Sequence, residues 1–323
     1  MSASQKSGNV VAGRYAAIDI GTVTCRLFVA DVSSIGKITE LHRDAVICNL
    51  GVGVDKTGLL QPEAIERVGA AIENYMRVLE DLRPADGNPI SIKAVATSAS
   101  RDAKNSGDFQ ERLAQAGLAL DIIPGEREAA LSFAGASSAF AGERVVVLDV
   151  GGGSTEVIAG LAGCDPDRAH SFNVGCRRVT ERFFTADPPA PADIEDAARW
   201  IDEEFGAYLA QLDSDGLLDA RMVAVAGTAT SVVSMREKME AYDSSLVHGS
   251  MVTRSDVDAQ LAQLAALTVE QRKQVVGLHP DRAPVIVAGV LILQRIMQLT
   301  GIDQFTVSES DILQGIILDC ATH

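Results

Sequence analysis

The run Ile18-Asp19-Ile20-Gly21-Thr22-Val23-Thr24 returns as Leu148-Asp149-Val150-Gly151-Gly152-Gly153-Ser154, an offset of 149 − 19 = 130 residues. Both read apolar, Asp, apolar, Gly, two small residues, hydroxyl. In each, a strand ends at an aspartate, a tight turn offers backbone N–H groups of the kind that surround a phosphate, and a second strand leads away. A duplication at this spacing points to two similar α/β units with their turns facing one another. At 323 residues and 47% hydrophobic content, the chain can bury two cores.

Around the first turn, Tyr15 to Ile20 and Cys25 to Val32 read as the strands of a hairpin. From Gln61 to Leu82, Ile65, Val68, Ile72, Met76 and Leu79 recur at helical spacing behind Pro62, and Arg83-Pro84 ends the run. A strand at Ile90 to Ala96, a loop at Thr97 to Ser106, a helix at Gly107 to Gln115, a strand at Leu120 to Ile123 and a helix at Glu126 to Ala139 follow. This alternation predicts a mixed or parallel sheet. Arg144 to Val150 is an unbroken apolar strand of the fully buried type, and it restarts the pattern. After a proline-rich connector, Ala186 to Pro191, comes a helix to Leu212 capped by Asp193 or a neighbour. A strand at Met222 to Ala226, helices near Ser255 to Leu267, Val269 to Val276 and Ala283 to Leu299, a strand at Gln304 to Ser308 and a helix at Asp311 to Cys320 complete the reading.

The strongest chemical signal is Asp149 through Glu156. Consecutive glycines let backbone approach an anion closely, and carboxylates flank the loop. Carboxylates beside a phosphate cradle repel the ligand unless a cation lies between them, so Asp149 and Glu156 are candidate Mg²⁺ ligands. Asp19, Gly21, Thr22, Thr24 and Arg26 form the weaker copy. Alone they fit a plain hairpin, but the repetition favours a shared phosphate-binding role. Arg101, after a hydroxyl-rich segment at a strand end, can fork onto phosphate oxygens, or Ser100 can simply cap a helix. Gly227-Thr228 fits a third cradle or an ordinary strand-to-helix turn. Glu126 and Glu128 in a first helical turn suit the macrodipole, and Arg282 reads by itself as a surface arginine at a helix start.

A formal charge of 28 − 44 = −16 repels nucleic acid and leaves no basic patch to overcome that repulsion. A polyanionic substrate must therefore be gripped locally by arginines, N–H groups and a divalent cation. The five cysteines are scattered with no paired spacing, which argues against a disulfide framework or a zinc site and suits a reducing cytoplasm. Residues 1–13 read as a frayed tail without a targeting pattern. The longest apolar run, Ala283 to Leu293, is too short for a membrane span of about 20 residues. The five histidines show no ligand spacing and read as structural.

Taken together, IDIGTVTCRL (18–27), ATSASRDAKN (96–105), IIPGEREAALSFAG (122–135), LDVGGGSTEV (148–157), AVAGTATS (224–231) and GLHPDRAPVIVAGVLIL (277–293) resemble the exopolyphosphatase and guanosine pentaphosphate phosphohydrolase family. That family lies within the actin, sugar kinase and chaperone ATPase superfamily. The resemblance implies two ribonuclease-H-like α/β domains with an interdomain cleft: domain I at 14–125 plus 309–323, closed by a returning helix, and domain II at 126–308. It implies that Glu128 activates water and that Asp149, Glu156 and Asp19 are metal-associated, with Mg²⁺ or Mn²⁺ as the cofactor. It implies phosphate contacts at Arg101, Arg282, Gly152, Gly153, Ser154 and Thr155, with Gly21, Thr22, Thr24, Arg26, Gly227 and Thr228 beside them. Val23 departs from the family's usual Asn, which removes one side-chain donor.

The resemblance implies an exopolyphosphatase releasing phosphate from inorganic polyphosphate. Alternatives are a guanosine pentaphosphate (pppGpp) 5′-phosphohydrolase, a small-molecule kinase of the same superfamily, or a phosphate-compound sensor that has lost catalysis. No nucleic acid or membrane partner is expected, and a homodimer is left open.

Overall fold

The computed structural model describes residues 10–322. The first unit runs β1 (Gly13–Ile20), β2 (Thr24–Val32), β3 (Ile38–Ile47), α1 (Val54–Thr57), α2 (Pro62–Asp81), β4 (Ser91–Ala96), α3 (Ser98–Asp102), α4 (Ser106–Gln115) and β5 (Leu120–Ile122). Then come α5 (Gly125–Ser137), β6 (Arg144–Val150), β7 (Thr155–Leu161), β8 (Arg168–Phe172), α6 (Cys176–Phe183), α7 (Pro191–Ser214), β9 (Arg221–Val225) and α8 (Ala226–Arg236). The chain continues through α9 (Ser244–Val247), β10 (Met251–Thr253), α10 (Arg254–Ala265), α11 (Val269–Arg272), α12 (Ile286–Thr300), β11 (Gln304–Val307) and α13 (Ile312–Thr322).

The duplication extends from the turns to the whole sheets. One sheet has the order β3-β2-β1-β4-β5 and the other β8-β7-β6-β9-β11, with β10 added at its edge. In both, the first three strands are antiparallel neighbours and the next two are parallel, which is the ribonuclease-H-like order. β1 and β6 are central and covered on both faces, so neither shows polar alternation. On β1, Ala16, Ile18 and Ile20 pack toward α2 and α4, whereas Tyr15 and Ala17 pack toward α13. On β6, Val146, Leu148 and Val150 meet α7, α8 and α12, whereas Val145 and Val147 meet α5. Asp19 and Asp149 end these strands in the second parity, so both side chains project toward the layer made by α13 and α5.

Those two helices lie between the sheets and cross with backbones in contact. A Cβ on Gly135 of α5 would fall 1.7 Å from the Asp311 carbonyl oxygen, and one on Gly315 of α13 would fall 1.9 Å from that of Leu131. Only glycine permits that approach. α5 faces the second sheet with Ala129, Phe133 and Ala136 at helical spacing and turns Leu131 to the first unit.

Several expectations need correction. The tail reading of 1–13 lies outside the described residues for 1–9, but residues 10–13 are held: Val11 N–H donates to Ala321 O at 2.8 Å, and β1 starts at Gly13. The expected loop at 97–106 contains α3, so Arg101 and Ser98 stand on a helix. Asp193 does not cap α7. Pro191 opens that helix after Ala190, and the Asp193 carboxylate accepts from Thr185 N–H and Oγ1. α11 ends at Arg272 rather than continuing to Val276. No helix among the described residues is long and apolar enough to cross a membrane.

Candidate active site

The two repeated turns have the same wiring. Gly21 N–H donates to Thr24 O at 2.9 Å, and Gly151 N–H to Ser154 O at 3.0 Å. The carbonyls within each turn are then held from outside. Thr22 O accepts from Gly51 N–H at 2.8 Å, and Val23 O accepts from Cys48 and Asn49 N–H at 2.9 and 2.8 Å. Gly151 O accepts from Cys176 N–H at 2.9 Å, and Gly152 O from Arg177 N–H at 2.8 Å. Because the trans peptide is planar, a carbonyl anchored on one side turns the next N–H to the other. Val23, Gly152 and Gly153 therefore present N–H groups away from their anchors, and none donates to a protein acceptor among the described residues.

The turns also touch. A Cβ on Gly152 would lie 2.6 Å from Val23 Cγ2, and one on Gly153 would lie 2.5 Å from Ser98 Oγ and 2.6 Å from Thr22 Oγ1. Together they line one cavity of about 90 Å³ with Asp19, Arg26, Glu128, Asp149, Glu156, Gly227, Thr228 and Arg282. That volume has room for a few water molecules.

The repeats differ in charge at one matched position. Asp19 pairs across its turn with Arg26, and Asp149 with Glu156 at the same register, 26 + 130 = 156. Arg26 Nη2 lies 2.6 Å from Asp19 Oδ2, and Nη1 pairs with Asp311. Burial opposes the Arg26 charge, but Asp311 and Asp19 more than offset it and hold its pKa above the usual value. Asp149 has no such partner. It accepts from Ser132 Oγ at 2.7 Å, and Glu156 accepts from Ser171 Oγ at 2.6 Å. Burial pushes Asp149 up to about 6 against the Ser132 bond, with Asp311 and Asp19 adding to the rise. Burial, then repulsion from Glu128 and Asp149, holds Glu156 well above the ordinary carboxylate range.

Glu128 stands in the first turn of α5, 8% exposed, with Arg101 Nη1 at 3.2 Å from its Oε2. Burial raises it to about 8; Arg101 opposes that rise, and Asp149 and Asp19 reinforce it. Arg282 lies flat on Gly227, where a Cβ would fall 1.3 Å from its Nη1. Burial lowers the Arg282 pKa, with the nearby Arg26 charge adding to the shift.

Two expected phosphate contacts stand apart from the lining. Arg101 reaches the site through Glu128 and also donates to Ile123 O at 3.0 Å. Thr155 is fully buried, and its hydroxyl donates to Val174 O at 2.5 Å. The sequence reading missed Asp311 and Ser171, which carry no motif signal, and gave no role to Ser132, although it lies within the 122–135 segment. It also missed Ser98, whose buried hydroxyl has no partner among the described residues.

Four carboxyl groups (Asp19, Glu128, Asp149, Glu156) and two guanidinium groups (Arg26, Arg282) line this cavity. A divalent cation fits the imbalance. Among the described residues no three His, Cys, Asp or Glu side chains converge into a ready-made metal cage.

Residues 28–323 match the Ppx/GppA phosphatase family. The chain is 37% identical to exopolyphosphatase 2 of Mycobacterium tuberculosis, over 95% of this chain and 98% of that one. Among solved structures, the Ppx/GppA family member of Aquifex aeolicus is similar at 27% identity with a TM-score of 0.77, covering 96% of this chain and 97% of that one. An exopolyphosphatase from Cytophaga hutchinsonii shares the fold at 22% identity and a TM-score of 0.84, covering 96% and 99%.

Proposed function

The chain belongs to the Ppx/GppA phosphatase family, and on that premise we propose that it is an exopolyphosphatase, hydrolysing the terminal phosphoanhydride of inorganic polyphosphate. The observation that carries this reading is the convergence of both turns and Glu128 on one cavity. The terminal phosphoryl group lies against the N–H groups of Val23, Gly152 and Gly153, with Arg282 neutralising equatorial oxygens. Glu128 accepts a proton from water as the water oxygen bonds to phosphorus. The bond from phosphorus to the bridging oxygen breaks, and a chain one phosphate shorter leaves. Burial makes Glu128 a stronger proton acceptor than a solvated glutamate. Asp149 and Glu156 would hold Mg²⁺ or Mn²⁺, which when bound offsets the charge of the phosphoryl oxygens, while Asp19, also expected at the metal, is held by Arg26. Arg101 fixes the Glu128 carboxylate rather than the substrate. The five free cysteines support a cytoplasmic location.

The test is phosphate release from tripolyphosphate with Mg²⁺. Wild type should turn over, and Glu128→Gln should lose about 10²–10⁴-fold in kcat. Retained activity in Glu128→Gln, or none in wild type with Mg²⁺ or Mn²⁺, refutes the proposal.

One observation favours pppGpp as a second substrate. A cavity of about 580 Å³ shares Arg26, Gly227 and Arg282 with the site and is partly apolar, with Met239, Tyr242 and Leu278 in its wall. It has room for a nucleoside. Relative kcat/KM on tripolyphosphate and pppGpp decides between them.

A further inference from the structure

Helix α6 begins against the second turn and carries Arg178 at its third position. The Arg178 side chain is 16% exposed and uses its whole fork. Nε donates to Gly153 O at 3.1 Å, Nη2 to Asp102 Oδ2 at 2.6 Å, and Nη1 pairs with Asp55. The carbonyl comes from the second phosphate turn, and both carboxylates come from the first unit. We propose that Arg178 is a positioning residue that locks the second phosphate turn to the helix carrying Arg101, and so sets the distance between cradle and base. This rests on the reading of the turns as the phosphate cradle.

Two features make the position specific. Gly153 O belongs to the same peptide as Ser154 N–H, so the bond from Nε fixes which way that N–H points. Asp102 directly follows Arg101, whose guanidinium holds Glu128. The connection thus runs Gly153, Arg178, Asp102, Arg101, Glu128, from the groups that hold the phosphoryl to the group that activates water. Neighbouring contacts brace it: Arg177 reaches Asn49 Oδ1, and Gly53 N–H donates to Glu181 Oε2 at 3.1 Å. The segment they grip, 48–53, anchors the carbonyls of Thr22 and Val23 in the first turn. α6 therefore backs both cradles. Only a planar fork meets a carbonyl and two carboxylates at once; an ammonium group cannot reach all three in this geometry. Misplacing reacting groups by about 1 Å can reduce a rate about 10²-fold.

The experiment uses the full chain with Arg178→Ala, Arg178→Lys, Asp102→Asn and the Arg178→Ala/Asp102→Asn pair, each checked for folding by circular dichroism. In phosphate release from tripolyphosphate with Mg²⁺, Arg178→Ala should lose ten- to a hundredfold in kcat per folded molecule, with a smaller change in KM. Arg178→Lys should recover little of that loss, and the pair should be no worse than Arg178→Ala alone. Wild-type kcat in Arg178→Ala, or multiplying losses in the pair, overturns the proposal. Hydrogen exchange without substrate decides independently of activity. Faster exchange in 53–57, 98–103 and 151–156 together supports the lock, and an effect confined to 176–183 overturns it. Should wild type release no phosphate, the phosphatase reading falls while the exchange result still judges the lock.

Discussion

Replacing Gly135 by alanine sets two effects of known sign against each other. In an ordinary helix interior this change gains about 0.5–1 kcal/mol, because glycine gives up more backbone freedom on folding. Here the added methyl would sit 1.7 Å from the Asp311 carbonyl oxygen and 2.8 Å from Gly315 N. Even a 3.0 Å contact requires α13 to retreat by 3.0 − 1.7 = 1.3 Å at that point. Retreat loosens Ile312, Leu313, Ile316 and Ile317, each 3% exposed or less. Overpacking of this kind costs up to about 3 kcal/mol, so the net change is a loss of about 2 kcal/mol. Gly206 on α7 is the control, since a Cβ there meets nothing within 4 Å, and Gly206→Ala should stabilise by about 0.5–1 kcal/mol. Thermal and guanidinium melts of the two variants should shift in opposite directions. Because Asp311 pairs with Arg26, Gly135→Ala should also reduce phosphate release per folded molecule at least tenfold. A Gly135→Ala protein as stable as wild type would refute the close crossing. A destabilised one with unchanged turnover would refute its link to the site.

Arg26→Met strands Asp19 and Asp311 without a counter-charge and should cost about 3–5 kcal/mol in denaturant melts; a cost below about 1 kcal/mol would contradict their dependence on it. Val23 packs into the core of the second unit, so Val23→Asn should destabilise by about 1–3 kcal/mol and leave tripolyphosphate affinity no tighter. Tighter binding would mean that the missing amide is a working donor. Arg14 holds Asp31 bidentately at 2.8 and 2.9 Å and keeps its carboxylate below the usual range. A depressed folded-state pKa stabilises above the ordinary value of about 3.9 and loses that effect as pH falls through the lowered one. With Asp31 45% exposed, the stability gap between wild type and Asp31→Asn should be about 0.2–1 kcal/mol at pH 7 and should close below about pH 4. A gap that persists at pH 2 would disprove the assignment.

The repeat at Asp19 and Asp149 was legible because identical wiring needs similar residues: glycine where N–H groups must face a ligand, apolar residues where a central strand is covered twice. From that, the two similar α/β units and most of the cavity's lining follow. β3 was not legible because it is an edge strand whose residues Thr39 to Leu41 are exposed, so no hydrophobic period marks it. α6 was missed because only Cys176 and Val179 are buried in it, and its arginines serve the cleft rather than a core. The role of Asp311 was not readable either, since its partner lies 285 residues away and nothing local distinguishes a buried acid from a solvated one. Arg101 is expected at phosphate from its place after a strand and from the resemblance; its Nη1 is shared between Glu128 and the Ile123 carbonyl, a contact no local pattern announces.

The bond between residues 26 and 311 joins the second strand of the first unit to the start of α13. That arginine is neutralised from both sides only when the two ends have met, and the long loop so closed costs little entropy beyond what a shorter one would require. A chain cut short of residue 311 keeps both glycine-rich turns but leaves Arg26 with Asp19 alone, so the charge balance beside the first turn is completed by a residue 285 positions away.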